Sequence, residues 1–435
     1  MNNLFTKTLL SSALFMAAGS ASAAAFQLAE VSTSGLGRAY AGEAAAADNA
    51  SVVATNPALM SLFKRPELSI GGIYVDPNID ITGPSADYSH KNIAPNALIP
   101  NLYAVYPIND KFAVGGGMNV NYGLSTEYDK NYAAGFIGGK TELKTINLNL
   151  SGSYRITEKL SAGLGFNAVY ADALLERHAG VLSDRLGQLK QPLGVTNSTV
   201  IAKIEGDKWG YGWNAGLVYE LNENNRLAAA YHSHVTLDFK GQYSNQLPAA
   251  LTGQFSSYDT LYQGTLAQLG LVPTGGVALP GTLKLALPAF WEISGYHKVS
   301  DKLTFHYSYK YTEWSRFKEL KAMNGERQLF QKTEEYRDSS RLAIGTSYDI
   351  NEKLTLRAGI AYDESAAQNH HTLSIPDTNR TWYSLGATYR FTDSISVDAG
   401  FAHLRGAKNS FTENGIAFTS KARANLYGLN LNYRF

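Results

Sequence analysis

Beyond Arg65, apolar and polar residues alternate one for one along most of the chain. Ile146, Leu148, Leu150, Gly152 and Tyr154 share one parity, while Asn147, Asn149, Ser151, Ser153 and Arg155 share the other. Leu160, Ala162, Leu164, Phe166, Ala168 and Tyr170 repeat it, as do Tyr383, Leu385, Ala387, Tyr389 and Phe391, and then Ile395, Val397, Ala399 and Phe401. A period of two places successive side chains on opposite faces of a strand, so each segment has one apolar and one small or polar face. Six short turns separate such segments, at 106–112, 154–160, 219–227, 297–303, 348–354 and 389–395; each runs aromatic or His, spacer, apolar, polar turn, apolar. They read as tight hairpins. The other ends are joined by long irregular stretches near 77–98, 123–139, 173–201, 241–281, 315–338, 364–379 and 404–420. Seven long loops alternating with six turns predict about fourteen antiparallel strands, with both termini on the short-turn side.

An arginine pointing into hydrocarbon costs roughly 2–4 kcal/mol at mid-depth, so arginine parity tells which face meets lipid. Arg155, Arg390 and Arg434 all take the polar parity, and Tyr154, Tyr389 and Tyr433 beside them take the apolar parity next to a turn. That is where the aromatic girdle of a membrane barrel belongs. The chain also ends in such a strand, with Tyr427, Leu429, Leu431, Tyr433 and Phe435 on one parity.

The stretch 26–60 breaks the pattern. Ala44 to Ala47, Gly35, Gly37 and Gly42 crowd it, it closes on Asn56, Pro57 and Ala58, and no window of it alternates. Above about eight strands, side chains no longer fill a barrel. Residues 24–65 are therefore the available plug, with Asn56-Pro57-Ala58 as a rigid bend carrying a side-chain hydrogen bonder. The fold class is all-β: a transmembrane antiparallel barrel of about fourteen strands (66–435) with an N-terminal hatch (24–65) inside its lumen.

Composition narrows the setting. Charged residues make up 17% of 435, Tyr reaches 27 and Gly 40, and past the N-terminus no apolar run is long enough for a membrane helix. Lys7, the apolar run 8–19 and Ala21-Ser22-Ala23 form an export signal over 1–23. Lys7 is its only charge, so its removal takes the formal +1 to zero, and nothing steers the chain toward nucleic acid. Without cysteine there is neither a disulfide framework nor a thiolate metal site. No G-x-S-x-G, H-E-x-x-H or P-loop occurs, and Gly35-x-Gly37 opens no βαβ unit. The expectation is a non-enzyme without cofactor; His370-His371 is at most an adventitious metal site.

Two loops are too apolar for ordinary solvent-facing connections. Leu182, Leu186 and Leu189 in one, and Leu251, Phe255, Tyr258, Tyr262 and Leu266 in the other, recur at helical spacing. They read as helices that cap the barrel, line a groove for a hydrophobic ligand, or do both.

Ser34 to Glu43 followed by Asn56-Pro57-Ala58-Leu59 resembles the hatch of the FadL family, the long-chain fatty acid transporters of the Gram-negative outer membrane. The stretches 92–95, 121–124, 146–152, 165–170, 209–214 and 374–377 resemble it too, across the whole mature chain. The resemblance implies capture of a fatty acid between two outer loops, a tighter site within the barrel, and release when the hatch around Asn56, Pro57 and Ala58 shifts. It also implies a kink in the third strand, here 112–124, through which substrate leaves sideways into the bilayer. Gly115, Gly116, Gly117 and Gly123 permit such a bend, or merely make room for the plug. Arg177 and Lys332 align with the basic pair the family uses for the carboxylate, and Lys321 and His178 are weaker candidates. The expected partners are long-chain fatty acids and outer-membrane lipid, lipopolysaccharide or phospholipid, with the chain acting as a monomer. Two alternatives stand: uptake of another hydrophobic compound such as an aromatic hydrocarbon, and a general porin or adhesin.

Overall fold

The computed structural model describes residues 25–186, 194–249 and 256–435; the export signal expected over 1–23 lies outside them. Twenty strand segments form one antiparallel sheet. They run β1 (Glu67–Thr82), β2 (Ala97–Pro107), β3 (Phe112–Asn119), β4 (Gly123–Glu127), β5 (Lys140–Arg155), β6 (Leu160–His178), β7 (Val200–Asn222), β8 (Asn225–His232), β9 (Val235–Ser244) and β10 (Leu279–Leu287). Then come β11 (Phe290–Lys298), β12 (Leu303–Thr312), β13 (Glu319–Asn324), β14 (Arg327–Thr333), β15 (Ser339–Asp349), β16 (Leu354–Asp363), β17 (Arg380–Arg390), β18 (Ile395–Gly406), β19 (Asn409–Glu413) and β20 (Ile416–Arg434). Several of these are two halves of one interrupted stave, such as β3 and β4, β8 and β9, or β10 and β11. Counted as staves there are fourteen, and β20 closes the cylinder on β1 from Glu67↔Arg434 to Thr82↔Thr419.

The two parities fall as the arginines require. Leu150, Leu164, Leu385 and Leu429 point outward, each more than 60% exposed, while Asn147, Asn149, Ser151 and Ser153 are buried inside. Arg155, Arg390 and Arg434 face inward, onto Glu220 (2.7 Å), Thr355 (2.9 Å) and Glu67 (2.9 Å). A lattice of amides ties the wall from within: Asn147 donates to Asn119 (3.1 Å) and Asn167 (3.0 Å), and Asn149 to Asn167 (2.9 Å) and Asn214 (3.1 Å).

All six tight turns stand where the pattern puts them, but the long loops begin later than expected. β1 continues to Thr82 and β6 to His178, and the loop at 315–338 contains the hairpin β13–β14. Past the outer aromatic ring, where Tyr170 meets Trp209 at 5.2 Å, the outward positions become mostly charged, with Asp172, Glu176, Lys203, Glu205 and Asp207 around a lone Leu174. The apolar alternation stops there although the backbone ladder does not, which is why periodicity alone ended these strands early.

The segment 25–63 lies inside the cylinder. Short helices α1 (Thr33–Leu36) and α2 (Val52–Thr55) and a 3₁₀ helix (Pro57–Leu62) are its regular parts. It bonds to the wall all the way round. Tyr103 on β2 donates to the Val31 carbonyl (2.8 Å), Ser61 to Ser161 on β6 (2.8 Å), and Ala44 N–H to Ser294 on β11 (3.2 Å). Arg341 on β15 donates to the Ala39 carbonyl (2.8 Å), and Asn49 to Asp398 on β18 (3.2 Å).

Candidate functional site

The lower lumen is fastened by buried polar contacts. Arg38, about 1% exposed, binds Glu43 at 2.7 Å and also Asp48, which reaches Arg357 on β16 at 3.7 Å. Asn56 donates to the carbonyls of Ala44 (2.8 Å) and of Leu217 on β7 (3.3 Å) and accepts from Ala58 N–H (3.0 Å), so it caps the 3₁₀ helix that Pro57 starts. The bend fits because the wall is bare beneath it. A Cβ on Gly216 would stand 1.8 Å from the Asn56 side chain, and one on Gly163 would stand 2.4 Å from Ala58 N.

The first described residues behave differently. Gln27 bridges to Tyr122, with Leu28 N–H donating to Asn121 O (2.8 Å) and Gly123 N–H to Phe26 O (2.9 Å). These three residues thus pair with the break in the third stave, at 120–122 between β3 and β4. Glycines 115–117 lie in regular ladder with both β2 and β5 rather than at the break. A Cβ on Gly115 would come 2.6 Å from Met60, so that position makes room for the plug; only Gly123 borders the break. The β2–β3 ladder stops at Leu102↔Met118 and β4 pairs with β5 alone. The edge of β2 over 97–101 therefore has no ladder partner on that side, which leaves a gap in the wall beside Tyr122.

Above Phe26 the lumen turns apolar. Phe26 packs edge-on against Trp314 (4.7 Å) and Phe317 (5.2 Å). A narrow cavity of about 80 Å³ rises from it between Leu124, Leu143, Leu175, Phe239, Leu285 and Leu320. Its lining is almost wholly apolar, which suits an alkyl chain. Tyr243, Ala202, Ala322 and Leu329 close it above, and beyond them a wider cavity of about 720 Å³ opens among the loops, with Arg177 in its wall.

Between these spaces the two predicted bases meet. Arg177, about 2% exposed, donates to Ser374 (3.0 Å), Thr141 (3.2 Å) and the carbonyls of Glu176 (2.8 Å) and Lys140 (3.1 Å); Lys332 donates to the same Ser374 hydroxyl. Two acids that the sequence did not single out complete the cluster: Glu413 at 3.4 Å and Glu334 at 3.9 Å from Lys332. Burial pushes the Glu334 carboxyl up to about 7, with Lys332 opposing and Glu413 reinforcing the rise; burial draws Arg177 down to about 10, where it stays charged. Ser374 had a signal, since it opens the 374–377 stretch. Glu413 had none, being a loop acid like any other until the fold brings it across the lumen. His178 turns to Glu176 (3.1 Å), and Lys321 alternates onto the other face of the β13–β14 hairpin from Lys332.

The apolar loops pack on one another. Leu182 and Leu186, on and after α3 (Leu182–Arg185), share a buried cluster with Tyr262 and Leu266 of α4 (Ser256–Gln268), together with Ile201 and Leu247. Leu189, Leu251 and Phe255 lie outside the described residues, as does the side chain of Tyr258. The cap is thus present, and Leu182 and Leu269 also line the wider cavity, so cap and groove share a wall.

Residues 14–435 match the family described as outer membrane protein transport protein (OMPP1/FadL/TodX). The chain is 65% identical over 433 residues to the 47 kDa outer membrane protein of Pasteurella multocida, covering 99% of both. It is 46% identical over 452 residues to a protein of Escherichia coli O6:H1 named long-chain fatty acid transport protein, again covering 99% of both. In fold it is similar to a FadL homologue of Pseudomonas aeruginosa, with TM-score 0.81, 24% identity, and 95% and 100% of the two chains covered. The chain is an outer-membrane β-barrel and belongs to the OMPP1/FadL/TodX family of outer membrane transport proteins.

Proposed function

We propose that this protein carries long-chain fatty acids across the outer membrane by passive diffusion, without catalysis and as a single chain that encloses the whole route. One observation carries the reading: Arg177 and Lys332, remote in sequence, converge on the Ser374 hydroxyl at the rim of an apolar slot. A carboxylate buried without a partner is costly, and a charge-assisted contact to arginine relieves that cost. The tail supplies affinity, about 0.8 kcal/mol for each methylene that leaves water, before the cost of association.

The long loops lie outside the cell and collect the acid in the wider cavity. The head group then docks at the bases while the tail enters the slot and presses on Phe26. The moving part is the short paired stretch around Gln27; the Arg38 to Leu62 core stays seated, with Asn56, Pro57 and Ala58 as its anchor. When Phe26 withdraws, the slot opens on the gap beside Tyr122, and the acid passes sideways into the bilayer. The relative named for long-chain fatty acid transport, 46% identical over nearly the whole chain, supports this substrate class.

Uptake of labelled oleate and of labelled toluene into proteoliposomes, by the native chain and Arg177→Ala, tests the reading. Oleate uptake falls in the variant and toluene uptake does not. Equal native uptake of both compounds, with no effect of the substitution, would overturn it. A second reading, transport of uncharged hydrocarbons, has one feature in its favour: Glu334 and Glu413 already offset the two bases. The same experiment separates the two.

A further inference from the structure

The outward surface of the barrel carries charges in a belt above the outer aromatic ring, and between β4 and β7 they are neutralised by neighbours. Lys144 binds Glu142 at 2.8 Å, Lys140 binds Glu127 at 3.4 Å, and Lys203 binds Glu205 at 2.8 Å. The sector of β18 and β20 is built differently, with like charges set face to face. Along β20 the outward parity continues from Leu429 and Tyr427 to Asn425, Arg423 and Lys421; along β18 it continues from Phe401 to His403 and Arg405. Arg405 stands directly opposite Arg423 in the ladder, an arrangement that like charges disfavour. Arg405, Lys408, Lys421 and Arg423 are all exposed, and among the described residues none of them takes part in an ion pair within 4.0 Å. The acids sharing this face are Asp76 and Asp80 on β1. Asp80 lies in register with Lys421 but accepts instead from the backbone of Asn92 at 3.0 Å. His403 is engaged with Asn425 at 2.7 Å.

Height decides what meets these cations. Phe401 and Tyr427, 5.3 Å apart, mark the ring at the edge of the hydrocarbon. Arg423 is four residues further along β20, about 13 Å along the strand and roughly 10 Å nearer the outside once strand tilt is allowed for. That is the depth of lipid head groups. With the long loops outside, this leaflet is the outer one, so the partner at that depth is a phosphorylated glycolipid.

We infer that Arg405 and Arg423, flanked by Lys421 and Lys408, bind the phosphate groups of lipopolysaccharide from the side. Two guanidinium forks held together on a rigid ladder match phosphate oxygens bidentately, and the anion relieves the repulsion that the bare pair suffers. The inference rests on the membrane orientation, not on the fatty-acid reading. The bound lipid fixes the glycolipid layer against the seam where the last stave meets the first.

The purified full chain in detergent tests it, with bisphosphorylated lipid A, enzymatically dephosphorylated lipid A, or inorganic phosphate alone. The readouts are the thermal unfolding midpoint and the lipid retained per chain by native mass spectrometry. Bisphosphorylated lipid A raises the midpoint by several degrees and is retained; the dephosphorylated lipid and free phosphate do neither. R405Q/R423Q binds roughly tenfold or more weakly, the loss expected for one or two charge-assisted contacts, and without lipid it is at least as stable as the native chain because the repulsion is gone. K203Q, in the neutralised part of the belt, binds as the native chain does. Retention by R405Q/R423Q equal to native would overturn the assignment. So would equal binding of the dephosphorylated lipid, or a shift reproduced by inorganic phosphate.

Discussion

The two halves of the lumen are built on opposite principles. Below Phe26, a fully buried arginine with its two acids and a set of amide and hydroxyl contacts hold the plug in one position. Above Phe26, leucine, phenylalanine and tryptophan side chains enclose the slot without directional bonds. Directional contacts specify a single arrangement and are expensive to break one partner at a time. Apolar contacts cost little to exchange for an alkyl chain of similar shape. The lower half is accordingly the part that stays, the upper half the part that adapts, and the pairing of 26–28 with the interrupted third stave is the joint between them.

The sharpest way to break that contrast is Arg38→Ala. It leaves Glu43 and Asp48 buried without their partner, and removing one side of a buried pair costs about 3–5 kcal/mol. The plug should loosen, which appears as raised ion conductance in planar bilayers and earlier unfolding. Arg177→Ala acts in the other half. Loss of a charge-assisted contact worth about 1.5–3 kcal/mol weakens oleate binding by roughly ten- to a hundredfold, measured with a fluorescent fatty acid, while conductance stays at the native level.

Proton linkage sharpens the comparison further. Glu334 is raised from 4.5 to about 7, so below pH 7 it is mostly neutral and Glu413 alone opposes the two bases, leaving a net positive site for an ionised acid. Oleate affinity therefore falls as pH rises through about 7. Glu334→Gln removes that dependence and keeps at pH 8 the affinity that the native chain has at pH 6. The same shift contributes stability that is complete below the unfolded value near 4.5 and is lost as pH climbs through 7. The smallest effect belongs to Lys321→Ala, on the other face of its hairpin from Lys332: stability within about 0.5 kcal/mol of native and unchanged oleate binding.

The sequence made the wall legible because lipid imposes one rule on every stave: the parity of Leu148 and Leu150 against Asn147 and Asn149 reports directly on which solvent each face meets. It also exposed the plug, as the N-terminal stretch that fails that rule, whereas Arg177 and Lys332 came from the family resemblance and only the fold brings them onto Ser374. It was silent where the backbone outlasts the lipid, as in β13–β14, since no apolar alternation marks a ladder in water. It left open whether Gly115, Gly116, Gly117 and Gly123 bend the third stave or make room for the plug, because the residue types of Val120, Asn121 and Tyr122 do not mark them as the break. Gly115 and Gly117 answer to Met60 and Tyr103, which lie against them from within, while Gly116 takes the outward parity beside Leu150. Glu413 and Glu334 were invisible because loop acids acquire meaning only when a lumen brings them beside Lys332.

Two cysteine locks, in a chain that has no cysteine of its own, test the division most directly. Ser61 and Ser161 touch across the seated core of the plug (2.8 Å), and Gln27 and Tyr122 form a non-hydrogen-bonded antiparallel pair at the joint, a spacing that admits a disulfide. Oxidised Gln27→Cys/Tyr122→Cys should stop oleate uptake and recover it on reduction, whereas oxidised Ser61→Cys/Ser161→Cys should transport at the native rate. Full uptake with the joint locked, or none with only the core locked, would contradict the account.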